Sequence, residues 1–344
     1  MKKILVTGGS GYFGTTLVKE LVKSNVEIII YDLNEPESIS SHVEFIQGDI
    51  RDKISLEKAC NDVDIVFHNV AQVPLAKNKE LFRSVNRDGT QNILNACLNN
   101  RVKKIVYTSS SAVFGIPKHN PVDEKMSPHP LEAYGKEKYE GEKLCQQYID
   151  KGLDITIIRP RTIIGHGRLG IFQILFEWIY QGKNIPVLGK GDNQYQFIHA
   201  TDLAIACINA SIRQGSEIYH CGAESFGTMN DLLTELCEFS KTRAKVVHVP
   251  MRLAQYTMHL TSFLRLSPLA PYHALMYGRS LYFDIQKAKK ELNWTPQYSN
   301  REMFEENYQW YVSNRATILN KQNGSSMHQS AMKQGVLKLI SKVL

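Results

Sequence analysis

Tyr134 and Lys138 stand four residues apart in Tyr134-Gly135-Lys136-Glu137-Lys138, a spacing that puts a phenol and an ammonium on one face of a helix. A neighbouring ammonium favours the phenolate, so Lys138 is expected to draw the pKa of Tyr134 down from about 10 toward working pH. Such a pair can take a proton from an alcohol as hydride leaves its carbon. The same spacing recurs at Tyr139 and Lys143. Five residues turn a helix by about 140°, so the two pairs cannot face one site. Upstream, Lys104–Thr108 reads as a strand that ends in Ser109-Ser110-Ser111-Ala112-Val113-Phe114-Gly115. Its hydroxyls would lie at the carboxyl end of a sheet strand, where open α/β sheets bind ligands, and favour Tyr134 over Tyr139.

A second constellation opens the chain. Thr7-Gly8-Gly9-Ser10-Gly11-Tyr12-Phe13-Gly14 follows a short apolar run and leads into a helical pattern. Gly8 suits a tight turn, Gly11 lets backbone approach a pyrophosphate, and Gly14 allows close helix–strand packing, with the helix N-terminus facing the anion. The next apolar run ends at Asp32, 18 residues after Gly14. A carboxylate there accepts hydrogen bonds from ribose hydroxyls and repels a 2′-phosphate, which favours NAD over NADP.

These residues need a scaffold. Near-continuous apolar runs at 3–7, 26–31, 43–47, 64–68, 104–108 and 154–159 read as strands buried on both faces. Helical spacing lies between them at 13–24, 55–61, 81–99 and 132–151. The fold class is therefore α/β, a Rossmann-type doubly wound parallel sheet. Beyond it, helical spacing dominates at 170–182, 201–214, 228–241, 251–266 and 301–315, with isolated strands near 195–199 and 217–221, which suggests a smaller, mainly helical C-terminal substrate lobe. The expected division is residues 1–165 plus about 195–222 for the NAD-binding domain and 166–194 plus 223–314 for the substrate lobe. Residues 315–344 form a linker and a terminal helix.

Taken together, the chain resembles the extended short-chain dehydrogenase/reductases, specifically the NAD-dependent epimerase/dehydratase family. Besides the glycine motif, the resemblance rests on Gly48-Asp49-Ile50, Phe67-His68-Asn69-Val70-Ala71-Gln72, Asn86-x-x-Gly89-Thr90, Thr108 to Gly115, Tyr134-x-x-x-Lys138, Arg159-Pro160, His199-Ala200-Thr201-Asp202 and Asp284 to Pro296. It covers residues 1 to about 314. The resemblance implies that Tyr134 is the acid/base, Lys138 its partner and Ser110 the residue that orients the hydroxyl, which leaves Tyr139 and Lys143 as an exposed helix face. It further implies that Tyr12, Phe13, Asp49, Ile50, Val70, Ala71, Asn86, Thr108 and Pro160 join Gly8, Gly11, Gly14, Asp32, Tyr134 and Lys138 around NAD. Gln72, Ser110, Ser111, Thr162, Arg168, Tyr195 and Arg279 would meet the substrate.

Relatives that eliminate or decarboxylate carry an acid two residues after the catalytic Ser or Thr, and dehydratases another directly after it. Here those positions are Ala112 and Ser111, so reversible hydride transfer is favoured over elimination. The resemblance implies a nucleotide-sugar epimerase or oxidoreductase working through Tyr134, Lys138 and Ser110. Two departures stand out: Thr162 replaces an Asn that commonly helps bind the nucleotide diphosphate, and Gln196 precedes Phe197-Ile198-His199 where relatives have Asp, with no Arg ahead of it. Arg161, Arg168 or Arg279 could supply the cation, because a diphosphate suits a guanidinium. The alternatives are a 3β-hydroxysteroid-dehydrogenase-like oxidoreductase acting on a lipid or other apolar alcohol, and an inactive NAD-binding sensor or scaffold.

Composition narrows the partners. Of 344 residues, 41 are Lys or Arg and 34 Asp or Glu, a net charge of +7. Arg315, Lys321, Lys333, Lys338 and Lys342 contribute +5 within a final segment that has no acid, leaving +2 for residues 1–314. A general nucleic-acid surface is thus not supported. The six cysteines show no C-x-x-C pair or His–Cys cluster, which argues against a disulfide framework or metal site and for a reducing cytoplasm. No apolar window reaches the length of a membrane span. Residues 327–344 have amphipathic basic spacing, suited to docking on protein or to peripheral contact with the inner face of a membrane. A homodimer is the expected assembly.

Overall fold

A computed structural model of the chain describes residues 1–38, 40–72, 79–250 and 278–320. Seven strands form one parallel sheet: β1 (Lys2–Thr7), β2 (Val26–Asp32), β3 (Val43–Gln47), β4 (Ile65–His68), β5 (Lys104–Thr108), β6 (Ile155–Pro160) and, from the second half, β10 (Glu217–Cys221). Their order is β10-β6-β5-β4-β1-β2-β3. The order reverses direction between β1 and β4, and this switch point opens a crevice at the carboxyl ends of the strands.

Alternate side chains on each strand supply the two faces of the sheet. Ile4, Val6, Ile28 and Ile30 pack with Leu17 and Leu21 of α1 (Tyr12–Leu21) and with Leu203 and Ala206 of α7 (Ala200–Ile212). On the other face, Leu5, Ile29 and Val66 meet Leu56 of α2 (Lys53–Ala59), Ile93 of α4 (Gly89–Asn99) and Leu144 of α5 (Ala133–Ile149). The single helix expected over 81–99 is instead α3 (Lys79–Phe82), a π-helical turn Arg83–Asp88, and α4.

A separate core holds the second lobe together. It joins α6 (Ile171–Tyr180), β8 (Ile185–Leu188) and α8 (Met229–Ser240) to the long terminal helix. In this lobe β8 pairs with β11 (Val246–Val249), while β7 (Thr162–Ile164) pairs with β9 (Phe197–His199). Strands of three or four residues leave too short a pattern to read from periodicity, which is why β7, β8 and β11 were not expected. Leu281, Phe283, Ile285, Ala288 and Trp294, assigned above to the substrate lobe, are buried in the core beneath the large sheet, with α9 (Gln286–Glu291) between them in sequence. The last helix, α10 (Asn300–Asn320), runs through residues 315–320 that were read as linker. Arg315 holds it there with a bidentate pair to Glu177 of α6, Nε to Oε2 at 2.8 Å and Nη2 to Oε1 at 2.7 Å. The terminal helix at 327–344 and the helix at 251–266 fall outside the described residues. Among those described, no helix is long and apolar enough to cross a membrane.

Candidate active site

The glycine-rich turn connects β1 to α1. Gly8 adopts φ +74°, and a Cβ at Gly14 would lie 2.0 Å from the Gly8 carbonyl oxygen. Only glycine lets the helix start so close to the strand. Gly11 is the N-cap of α1. It provides no side-chain acceptor, and the first turn contains no acid. An oxyanion suits these amides, as the sequence anticipates for a pyrophosphate between Gly11, Tyr12 and Phe13.

Asp32 lies at the end of β2 and accepts hydrogen bonds from Ser10 N (3.1 Å) and Asn34 N (3.2 Å). The carboxylate thus braces the glycine turn and keeps further lone pairs for a ribose diol. Removing its charge while keeping its shape tests the choice of dinucleotide. Asp32→Asn should raise affinity for NADPH relative to NADH by about tenfold, read by fluorescence titration. An unchanged ratio would mean that this carboxylate does not select the cofactor.

The neighbouring loops are held by buried polar contacts. His68 bridges Thr7 Oγ1 (2.7 Å) and Thr90 Oγ1 (3.0 Å). Burial, reinforced by the charge of Lys138, pushes its pKa down to about 3, so the ring stays neutral. Asn86, on the π-helical turn, spends its amide on Gln72: Oδ1 accepts from Gln72 N at 2.6 Å and Nδ2 donates to Gln72 O at 3.1 Å. It therefore shapes the Val70–Gln72 segment through the backbone. Asp49 is gripped by Arg51, whose charge-assisted hydrogen bonds hold its carboxyl below the usual range, while Ile50 is buried against Gly89. Thr108 Oγ1 donates to Asn69 Oδ1 at 2.6 Å. Pro160 is buried in β6.

Tyr134, Lys138 and Ser110 converge at the carboxyl end of β5. Glu132 caps α5, its carboxylate accepting from Tyr134 N (2.8 Å) and Gly135 N (2.5 Å). A Cβ at Gly135 would sit 2.3 Å from Ala112 O, so the glycine lets the first turn of α5 abut the serine loop. That contact brings the Tyr134 phenol near enough to the Ser110 side chain for the two to interact. Lys138 is buried, with Nζ donating to Thr108 O at 2.7 Å and lying 5.0 Å from the centre of the Tyr107 ring.

The electrostatics correct one expectation. Burial pushes the Tyr134 pKa up to about 12, against the pull of the Ser110 hydrogen bond and the charge of Arg168. The phenol is protonated at rest. Lys138 does not bring it toward neutrality, because desolvation outweighs the nearby charges. The lysine itself is pushed down to about 8 by burial. Its ammonium fraction falls as pH rises through that value, so a reaction that needs the charged form should show a descending limb near pH 8 in kcat/KM. A flat profile from pH 7 to 9.5 would show that the charge is not required. The competing pair lies elsewhere: Lys143 binds Glu140 at 2.5 Å, and Tyr139 is half-buried against the core, not on the exposed face expected for it.

Several proposed substrate residues gather nearby. Thr162 Oγ1 and Tyr195 Oη are 3.1 Å apart. Arg168 donates from Nε to Ile163 O at 3.2 Å, its Nη1 is buried without a hydrogen-bond partner, and its Cζ lies 5.5 Å from the Tyr12 ring centre. Arg279 is exposed, with its carbonyl 3.4 Å from Asn193 Nδ2. The residue that sequence reasoning ranked too low is Arg161, which is 1% exposed and donates from Nη1 to Ser111 Oγ at 2.7 Å.

Comparison with known proteins places this architecture. The family model described as the NAD dependent epimerase/dehydratase family matches residues 4–222. An uncharacterized protein of Sinorhizobium fredii, y4nG, is 48% identical over 100% of this chain and 87% of its own. A putative UDP-glucose 4-epimerase of Methanocaldococcus jannaschii is 28% identical over 91% of this chain and all of its own. Among solved structures, the UDP-glucose 4-epimerase of Thermotoga maritima with UDP-glucose superposes with a TM-score of 0.77 at 23% identity, covering 91% of this chain and 99% of that one. The glycine turn, Asp32 and the Ser110–Tyr134–Lys138 group thus lie in a chain that belongs to the NAD-dependent epimerase/dehydratase family, an enzyme of the extended short-chain dehydrogenase/reductase type whose cofactor is NAD.

Proposed function

We propose that the protein is a nucleotide-sugar epimerase or oxidoreductase in which Tyr134 moves the proton of the reacting hydroxyl. The observation that carries this reading is the packing of the first turn of α5, which bears Tyr134, on the serine loop at Ala112 O, with Lys138 Nζ on Thr108 O at the carboxyl end of β5 and Arg168 Nη1 buried without a hydrogen-bond partner. Bound NAD supplies hydride acceptance and return. Ser110 orients the sugar hydroxyl against the Tyr134 oxygen. Lys138 holds positive charge beneath it. Arg168, through its unpartnered Nη1, takes an oxyanion of the nucleotide diphosphate. Thr162 and Tyr195 line the sugar side with Gln72 and Ser111, and Arg279 reaches from the rim. An apolar alcohol would leave the Arg168 donor unsatisfied, which favours the sugar nucleotide over a sterol-like substrate.

The test is cofactor release from purified protein together with NMR of nucleotide hexoses incubated with it. Retained NAD and interconversion of epimers without added cofactor would identify an epimerase. Stoichiometric consumption of added NADH would identify a net reductase. Failure of every nucleotide sugar to bind or react, alongside turnover of a hydroxysterol, would overturn the proposal.

A further inference from the structure

Arg161 departs from what a buried charge normally requires. Its guanidinium is 1% exposed, yet among the described residues no carboxylate pairs with it. The backbone amide is used by Cys221 O at 2.8 Å and Nη1 by Ser111 Oγ at 2.7 Å. Nε and Nη2 are buried and have no hydrogen-bond partner. Those two nitrogens form one edge of the guanidinium, the edge whose parallel N–H bonds match the two oxygens of a carboxylate. Rings cover the planar faces: Cζ lies 4.6 Å from the centre of Tyr195 and 5.6 Å from that of Phe283. Phe283 is buried and Tyr195 only partly so, which leaves the Tyr195 ring as the cover that lies nearer solvent.

Leaving a desolvated cation unpaired is strongly unfavourable, and an apolar residue among the same rings would avoid that cost. His220, which feels the Arg161 charge, does not relieve it, because burial and the adjacent cations hold that ring neutral. The location gives the charge a use. Arg161 is hydrogen-bonded to the residue directly after Ser110 and therefore stands at the reacting end of the substrate.

We infer that Arg161 is the receptor for a carboxylate carried by the substrate beside the carbon that is oxidised, and hence that the preferred substrate is a nucleotide-linked uronic acid. The inference rests on the nucleotide-sugar reading and narrows it. Carboxylate oxygens meet Nε and Nη2, Ser111 keeps Nη1 in place, and the Tyr195 ring moves aside to admit the group. A site built around a buried donor pair discriminates strongly against an analogue that leaves it unpaired.

UDP-glucose and UDP-glucuronate, which differ by that group, are the probes. The wild-type protein with NAD should prefer UDP-glucuronate by about 100-fold or more in kcat/KM. Arg161→Met should lose at least most of that ratio while its melting temperature holds or rises, since a purely structural arginine would lower it. Should the methionine variant not fold, Arg161→Lys, which keeps the charge but not the two-pronged edge, should lose the ratio too. Equal or better use of UDP-glucose, or a preference that survives either substitution, overturns the carboxylate assignment and leaves the nucleotide-sugar reading standing. Absence of binding and turnover with both probes removes the two together.

Discussion

Tyr134→Phe should lower kcat by about 10³-fold, within the range general acid–base groups supply, while leaving NAD content and melting temperature within error of wild type. The phenol is where the chemistry and the packing separate. Tyr134 opens α5, whose first turn abuts the serine loop at Ala112 O, while its phenol feels the Ser110 side chain and the charge of Arg168. Phenylalanine keeps the ring and removes the proton. A pKa held near 12 makes the resting tyrosine a proton donor, so the loss should be largest in the step that protonates a keto intermediate. Single-turnover measurements with a keto substrate and NADH would isolate that step. Activity within tenfold of wild type would remove Tyr134 from the mechanism and revive the reading of the protein as an NAD-binding sensor or scaffold.

Glu142→Gln is expected to destabilise the protein by about 3–5 kcal/mol, the cost of leaving a buried partner charge uncompensated. Glu142 is eight residues beyond Tyr134 on α5. It receives Arg159 of β6 in a bidentate pair, Nε to Oε1 at 2.9 Å and Nη2 to Oε2 at 2.7 Å, and the Ser109 hydroxyl at 2.5 Å. All three side chains are buried. The cluster therefore bolts the helix that carries Tyr134 and Lys138 to the strand loop that carries Ser110. Urea denaturation should show the midpoint falling with little change in slope. The double variant Glu142→Leu with Arg159→Met should recover much of the loss, since replacing both charges leaves none unpaired. A single-variant loss below about 1 kcal/mol would show that water reaches the pair.

Local spacing made much of the candidate site legible. The glycine turn, Asp32 and the Tyr134–Lys138 pair lie within short segments where residue type and interval have direct geometric meaning, and the parallel sheet followed from its apolar runs. What escaped was nonlocal. Glu142 and Arg159 are charged residues on different elements, and nothing in periodicity joins them. The pKa of Tyr134 moved opposite to expectation because desolvation depends on the whole surrounding packing, whereas the spacing to Lys138 records only one neighbour. Arg161 did leave a trace, a second arginine directly after Arg159-Pro160 at the end of an apolar strand, but its missing counterion could be recognised only once every contact was known. Residues 315–320 looked like linker because the polar run Asn320 to Ser326 follows them directly; Arg315 and the buried Ile318 tie them to the lobe through tertiary contacts.

The π-helical turn at Arg83–Asp88 gives the region ahead of α4 an unusual phase. Each residue advances an α-helix by about 100°, and a π-turn accommodates extra chain without breaking the axis. Asn86 owes its aim at Gln72 to that accommodation. Deleting one residue between 83 and 88 would let regular α-helical hydrogen bonding continue and would rotate Asn86 away from the loop it clasps. Helical regularity and loop placement therefore compete for the same six residues, and a homologous chain one residue shorter here would need a different device to hold the cofactor-side loop.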